Sequence, residues 1–256
     1  MSIFDALILS LVEGLSEFLP VSSTGHLILV SKILAIEDSE FLKSFVVIIQ
    51  LGAIMAVVLL YWRKILGSKG LWKNLLTSFI PTAVVGLVLY KIIKNLLLGN
   101  TMVVVVALFI GGLIMIWFEK THQESKASTG EVSDLSIKQS FLIGCCQSLS
   151  VIPGISRSAA SILGAMWLGV KRQAAVEFSF MLAIPTMIAA TALDMVKNSF
   201  GFNLEEWLVL AVGLVGSFIF ALLAVKYFLN FIQKNSLVAF GVYRIIIALL
   251  FWLFVR

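Results

Sequence analysis

Glu13, Glu17, Pro20, Ser22, Ser23, Thr24, Gly25 and His26 fall within 14 positions of a chain whose other long stretches are almost wholly apolar. No other feature limits the fold as strongly. Glu13 and Glu17 are four residues apart, so on a helix both carboxylates lie on one face. Each costs roughly 2.5–3.5 kcal/mol at the centre of a membrane helix, and like charges on one face repel. Such a pair needs a cation or a proton between the carboxylates, or a water-filled cavity around them. Pro20 ends the helix, and Ser22, Ser23, Thr24 and Gly25 read as a non-helical polar loop. Irregular backbone at membrane depth is tolerated only where it is buried in protein or lines a wet cavity. The stretch therefore reads as a site inside a membrane protein.

Composition agrees. Of 256 residues, 60% are hydrophobic and 13% charged, whereas soluble domains hold about 25% charged residues. Mean hydropathy is +1.06. The net charge of +5 is most simply loop charge and headgroup contact. No Arg/Lys-rich tail suggests nucleic acid. Cys145 and Cys146 are adjacent in an apolar run and read as buried thiols, not a disulfide or a metal site. The first positive charge is Lys32, so a cleavable signal peptide is not expected.

Taken in order, residues 3–19 are too short and too acidic for a good span, since crossing a bilayer takes ~20 apolar residues. With the Pro20 loop and the run 27–36 they read as a re-entrant helix–loop–helix. An acidic connection, 37–40, leads to spans at 45–62, 75–93 and 102–118, with a tight turn at Gly99–Asn100. The segment 119–138 reads as a mobile polar loop. Residues 139–168 break at Val151-Ile-Pro-Gly-Ile-Ser-Arg-Ser158 into a second helix–loop–helix. Spans at 178–196, 207–228 and 237–255 close the chain.

That order repeats: one re-entrant element and three spans in each half. Pro20 and Pro153, Ser23 and Ser156, and Phe45 and Phe178 are each separated by 133 positions. Three spans per half give the halves opposite orientations, the inverted-repeat pattern with broken helices meeting near the midplane. The expected fold is an all-α polytopic membrane protein of six spans and two re-entrant elements. It forms one membrane domain: repeat one 1–118, polar loop 119–138, repeat two 139–256. Arg63, Lys64, Lys69 and Lys73, with Lys171, Arg172, Lys226 and Lys234, fall on one side by span counting, taken as cytoplasmic. Both termini and the 37–40 loop are then outside. Lys91 and Lys94 flank an outer turn and count against this, but can snorkel.

In the second loop Arg157 stands out. Its guanidinium, beside Gly154, Ser156 and Ser158, offers up to five donors in a planar fork. Backbone N–H groups around a Gly–Ser loop at a helix start also attract anions. Carboxylates in one loop and this cradle in the other suggest a metal-assisted phosphate site, with Mg²⁺ or Ca²⁺ held by Glu13 and Glu17. Simpler readings compete. Pro153-Gly154 alone is a turn, and His26 alone is more often structural. Ser22 and Thr24 serve equally well as caps or as site residues. Arg244, near the start of the last apolar run, reads as a snorkelling or structural arginine.

Glu13-Gly-Leu-Ser-Glu17-Phe-Leu-Pro-Val-Ser-Ser-Thr-Gly-His26 resembles the E-x-x-x-E and P-V-S-S-T-G-H signature of undecaprenyl-diphosphate phosphatase, the bacitracin-resistance protein family. Pro153-Gly-Ile-Ser-Arg-Ser158 is similar to that family's P-G-x-S-R-S motif. Length, span pattern and Gln50-Leu-Gly-Ala-Ile agree, so the resemblance covers the whole chain. Ser161 departs where members usually carry threonine at or near that position, which keeps a hydroxyl. The resemblance implies removal of the terminal phosphate from a C55 isoprenoid diphosphate. It implies a divalent cation, a bacterial plasma-membrane location, a site open to the outer face, and a place in cell-wall (peptidoglycan) lipid-carrier recycling, with bacitracin resistance as a consequence. Glu13 and Glu17 match the acidic motif, and Ser23, His26 and Arg157 the other functional positions.

The expected roles follow. Glu13 and Glu17 bind metal, Glu17 also acting in catalysis. Ser23 is the nucleophile, with an activated water as the alternative. Arg157 stabilises charge on the transferred phosphoryl, and His26 moves protons. Ser22, Thr24, Gly25, Gly154, Ser156 and Ser158 surround the diphosphate. The partners are a polyprenyl diphosphate lipid and the bacterial membrane, not nucleic acid; the oligomeric state stays open, a homodimer included. The rival class is an inverted-repeat secondary transporter or lipid flippase, its carboxylates carrying Na⁺ or H⁺.

Overall fold

The computed structural model describes residues 1–89, 100–123, 127–197 and 201–254. Lys91, Lys94, Gly99, the end of the expected 75–93 span and Val255 lie outside them. Among the described residues there are ten α-helices and no β-strand. They are α1 (Ile3–Ser16), α2 (Ser23–Ile33), α3 (Glu40–Gly67), α4 (Lys69–Val88), α5 (Thr101–Thr121), α6 (Ile137–Ser148), α7 (Arg157–Trp167), α8 (Arg172–Lys197), α9 (Leu204–Ile232) and α10 (Val238–Phe254). Five of them, α3, α4, α5, α8 and α9, are long and apolar enough to cross a membrane; α10 is apolar but shorter. Their outer faces expose Leu59, Leu66, Val88, Leu223 and the tryptophans Trp62, Trp117 and Trp207. Lipid-facing side chains and interfacial tryptophans account for such a surface. The chain is a multi-pass helical membrane protein.

Local sequence sets the helix starts. Ser2 caps α1 and Asp5 returns the bond to the Ser2 backbone. Ser136 and Gln139 do the same for α6, 134 positions later. Both are reciprocal capping boxes that satisfy otherwise orphaned N–H groups. Ser22 caps α2 and Ser156 caps α7, again 134 apart, each from a positive φ (73° and 76°). The two 11-residue helices α2 and α7 therefore start in the same way. The structural match is Ser22 with Ser156, one residue away from the Ser23–Ser156 pairing expected. Arg157 consequently corresponds to Ser23.

Two packing relations recur in the two halves. α1 lies against α9, the second long helix of the other half, and α6 lies against α4 in the same relation. α3 and α8 meet each other, as do α5 and α10. Small residues let these backbones approach, which is how helices associate where apolar burial offers little. A Cβ on Gly14 would lie 2.6 Å from Phe220 Cβ and 2.7 Å from Ser217 O of α9. One on Gly144 would lie 2.8 Å from the Ser78 carbonyl carbon of α4, where Ser78 Oγ donates to Ser140 O at 2.6 Å. Phe18, Phe178, Phe180 and Phe228 fill the centre and are fully buried.

The described residues of the polar segment 119–138 are tied to the helices rather than forming the free loop its composition suggests. α5 continues through it to Thr121. Ser128 and Thr129 both donate to Gly169 O, and Lys171 N donates to Thr129 O. Val132 and Leu135 are buried, and Asn74 Nδ2 donates to Leu135 O at 2.9 Å. Glu119 accepts from Arg172 at 2.5 and 3.1 Å and from Leu237 N at 2.9 Å. One carboxylate thus ties the ends of α5, α8 and α10. Cys145 and Cys146 are free thiols, half-buried.

Candidate active site

α1 ends at Ser16 and the chain turns through 17–21 before α2 starts at Ser23. Glu17 is the C-cap of α1, and its N–H still bonds Glu13 O at 2.9 Å. Both carboxylates are therefore one helical turn apart, as the spacing requires. Their environments differ. Glu17 is enclosed by partners: Ser23 Oγ donates to its Oε2, while Arg157 Nε and Nη2 donate to its Oε1 at 3.2 and 3.1 Å. The Glu17 side chain is 4% exposed and that of Arg157 8%, so the pair is almost fully desolvated. Glu13 is fully buried and, among the described residues, neither of its carboxylate oxygens has a hydrogen-bond partner.

Arg157, the first residue of α7, is fixed from three sides. Besides Glu17, its Nη1 donates to Ser179 O of α8 at 2.8 Å. Its guanidinium carbon sits 5.9 Å from the Phe18 ring centroid, within cation–π range. Phe18 in turn meets Phe180 edge-on at 5.1 Å. Among the described residues, three of its five N–H groups are engaged, so two remain to donate to a ligand. Ser161 Oγ, one turn along α7, lies 2.7 Å from Ser179 Oγ and donates to Arg157 O. It supports the strand of contacts behind the guanidinium.

The two loops are stitched together. Ser158, fully buried, donates to Leu19 O at 2.8 Å and lies 3.1 Å from Ser156 Oγ. Ser22 and Ser156 accept from Gly25 N and Ala159 N and so cap their helices. Gly154 is turned towards α5: with φ +98°, a Cβ there would meet Val104 O at 2.7 Å. Gly25 also packs against Val104. Thr24 is half-buried. Of the ten residues the sequence singles out in these two loops, the structure brings Ser23 and Arg157 together at Glu17. Ser22 and Ser156 cap the two helices, and Ser158 ties the loops together.

His26 lies to one side. Its Nδ1 donates to Ser22 O at 2.8 Å, which leaves Nε2 to accept from the Tyr243 hydroxyl at 2.8 Å. The two rings stack with centroids 5.5 Å apart. Both ring nitrogens are thus occupied away from Ser23. Tyr243 is not legible in the sequence as a site residue, nor is Ser179. Their contacts join positions 217 and 22 residues apart, which no local pattern announces.

Of the two readings expected for Arg244 the structural one holds, with backbone carbonyls as its partners. It does not snorkel: it is fully buried and its side chain reaches the carbonyls of both loops.

Glu13 is the residue that bears on a divalent cation, its buried oxygens calling for a cation or a proton. A carboxylate buried without donors suits a cation, because a bare buried charge is otherwise strongly unfavourable. Among the described residues no three His, Cys, Asp or Glu side chains gather as a metal cluster. Mg²⁺ is commonly held by one or two carboxylates, waters and substrate phosphate oxygens, and Glu13 offers one such carboxylate. Glu17 joins that set only by giving up Ser23 or Arg157.

A profile described as bacitracin resistance protein BacA matches residues 6–250. The undecaprenyl-diphosphatase of Aquifex aeolicus is 50% identical over 251 residues, 98% of each chain. That of Persephonella marina is 48% identical over 255 residues, the full length of both chains. That of Sulfurihydrogenibium sp. is 50% identical over 253 residues, 99% of each.

Proposed function

The chain belongs to the bacitracin resistance protein BacA family, and from that premise we propose that it is an integral-membrane undecaprenyl-diphosphatase. It removes the terminal phosphate of undecaprenyl diphosphate, leaving undecaprenyl phosphate and inorganic phosphate. Recycling of the cell-wall lipid carrier and bacitracin resistance follow from that reaction. One observation carries the chemistry. A serine hydroxyl donates to a buried carboxylate that an arginine from the other half of the chain holds in place.

The roles are these. Ser23 Oγ attacks the terminal phosphorus and passes its proton to Glu17. The bond from that phosphorus to the bridging oxygen breaks, and the lipid monophosphate leaves. Water then cleaves the phosphoserine, releasing phosphate and restoring Ser23. Arg157 presents its two remaining N–H groups to the phosphoryl oxygens and stabilises the charge they gain. Glu13 would hold the divalent cation, Mg²⁺ or Ca²⁺. That ion supplies charge neutralisation for the diphosphate. His26, fixed by Ser22 and Tyr243, orients the start of α2 and reaches the reacting groups only if Tyr243 releases it.

The architecture we propose is the inverted repeat with two re-entrant helix pairs, α1–α2 and α6–α7. The matched capping boxes, the two left-handed serine caps and the reciprocal packing of α1 on α9 and α6 on α4 support it. The site opens to the outer face and both termini lie outside, on the charge of 63–73 against 37–40. The relatives' names do not favour the transporter alternative. Purified protein in detergent, given undecaprenyl diphosphate and Mg²⁺, should release inorganic phosphate. A transporter needs two compartments and would release none, and that result would overturn the proposal.

A further inference from the structure

Arg244 of α10 has all five N–H groups engaged, each by a different backbone carbonyl. Nη1 donates to Pro20 O at 3.3 Å and Ile155 O at 3.0 Å, Nη2 to Gly154 O at 2.8 Å and Ala107 O at 3.2 Å, and Nε to Leu108 O at 3.4 Å. Pro20 lies in the first loop, Gly154 and Ile155 in the second, and Ala107 and Leu108 on α5. Among the described residues no carboxylate comes within ion-pair distance of Arg244. A buried charge with no counter-ion is costly and persists only where dipoles surround it. Here the dipoles are the carbonyls of irregular backbone, which at membrane depth need donors of their own.

From this convergence we propose that Arg244 is a positioning residue: it fixes the separation of the two loops and thereby the placement of Arg157 against Ser23 and Glu17. Nη1 alone bridges the loops, through Pro20 and Ile155. Pro20 stands three residues before Ser23, and Ile155 two before Arg157. A shift of one loop relative to the other therefore moves nucleophile and arginine apart. Room for the guanidinium is built in. A Cβ on Gly111 would lie 2.8 Å from Arg244 Cζ and closer still to Nη2. Lysine cannot replace this residue, since its ammonium has three donors and no planar fork.

The inference rests on the proposed phosphatase reaction, and the wild-type protein separates the two. If wild type releases no phosphate, the reaction is at fault. If wild type does, three variants test Arg244: Arg244→Lys, Arg244→Ala with and without millimolar guanidinium chloride, and Gly111→Ala. The last keeps the arginine and its charge but pushes the head out of place, and it decides the question where an Arg244 variant does not fold. kcat per folded molecule, with thermal unfolding in the same detergent as control, should fall by about 10²-fold in Arg244→Lys, the effect of a ~1 Å misplacement. KM should change much less. Gly111→Ala should lose kcat in the same sense, and guanidinium should restore part of kcat to Arg244→Ala. Wild-type kcat in folded Arg244→Lys and Gly111→Ala would overturn the proposal. So would guanidinium that raises the unfolding temperature of Arg244→Ala without raising kcat.

Discussion

Replacing Glu17 by glutamine changes one atom and tests most of the proposed chemistry. In the wild type both Glu17 oxygens accept, Oε1 from Arg157 twice and Oε2 from Ser23. Glutamine keeps one acceptor, which the Arg157 fork will hold. The amide NH₂ then faces Ser23 Oγ, which can accept from it, but the amide cannot take the hydroxyl proton. Removing one partner of a buried ion pair costs 3–5 kcal/mol when the other charge is left bare. Here the amide oxygen still accepts, and Ser179 O still holds Nη1. The stability loss should therefore be nearer that of one unsatisfied buried group, about 1–3 kcal/mol. Loss of the base is worth ~10²–10⁴ in rate. Phosphate release from undecaprenyl diphosphate should fall by at least that factor, while the unfolding temperature in the same detergent drops only modestly. Glu13→Gln is the companion variant. It should raise the Mg²⁺ concentration needed for half-maximal rate more than it lowers the rate at saturating Mg²⁺. A folded Glu17→Gln protein within tenfold of wild-type kcat would remove Glu17 as the base. Full activity of both variants without added divalent cation would remove the metal site.

Three further outcomes are expected. Ser156→Ala loses the cap on Ala159 N and keeps a left-handed φ, so it should destabilise by roughly 1–2 kcal/mol, whereas Ser156→Gly should cost only a few tenths; thermal unfolding showing glycine the worse of the two would contradict the cap geometry. Glu119→Gln weakens the clamp on Arg172 and Leu237 N and should lower the unfolding temperature with kcat little changed; a large loss of kcat at unchanged stability would place Glu119 in the reaction. In a Cys145→Ser, Cys146→Ser background, an impermeant thiol reagent on intact cells should label Glu37→Cys and not Gly67→Cys, and the reverse pattern would invert the proposed topology.

Much of this site is legible in the sequence because its chemistry is expensive in lipid. Two carboxylates one turn apart, and an arginine in a Pro-Gly-Ser loop, have few benign explanations in an apolar chain. The near-repeat of the loops is visible for the same reason. What the sequence does not show is contact. Tyr243 and Ser179 look like ordinary helix residues, and only folding brings them to His26 and Arg157. Arg244 sits near the start of an apolar run, where snorkelling is the usual outcome. Its partners are five main-chain carbonyls, and a carbonyl looks the same under every side chain. The register of the repeat is misjudged by one residue because prolines are conspicuous. Capping serines, which set where a helix begins, are common everywhere.

That one-residue correction bears on how the site works. With Ser22 matched to Ser156, the positions that follow them are Ser23 and Arg157. Each opens an 11-residue helix immediately after a left-handed serine cap. At a helix start the side chain projects beside unpaired N–H groups and a positive helix end, which suit an anion. The two similar helix starts thus carry different chemistry, a hydroxyl on α2 and a guanidinium on α7. Glu17 separates them, bonded to both. The first half supplies the carboxylates, Glu13 and Glu17. The position matching Glu13 at the same 134-residue spacing is Gln147, fully buried but neutral. In the proposed mechanism, negative charge, nucleophile and proton acceptor therefore come from one half, and the phosphoryl-binding cation from the other. Neither half alone can bring a nucleophile and a fixed positive charge to the same phosphorus.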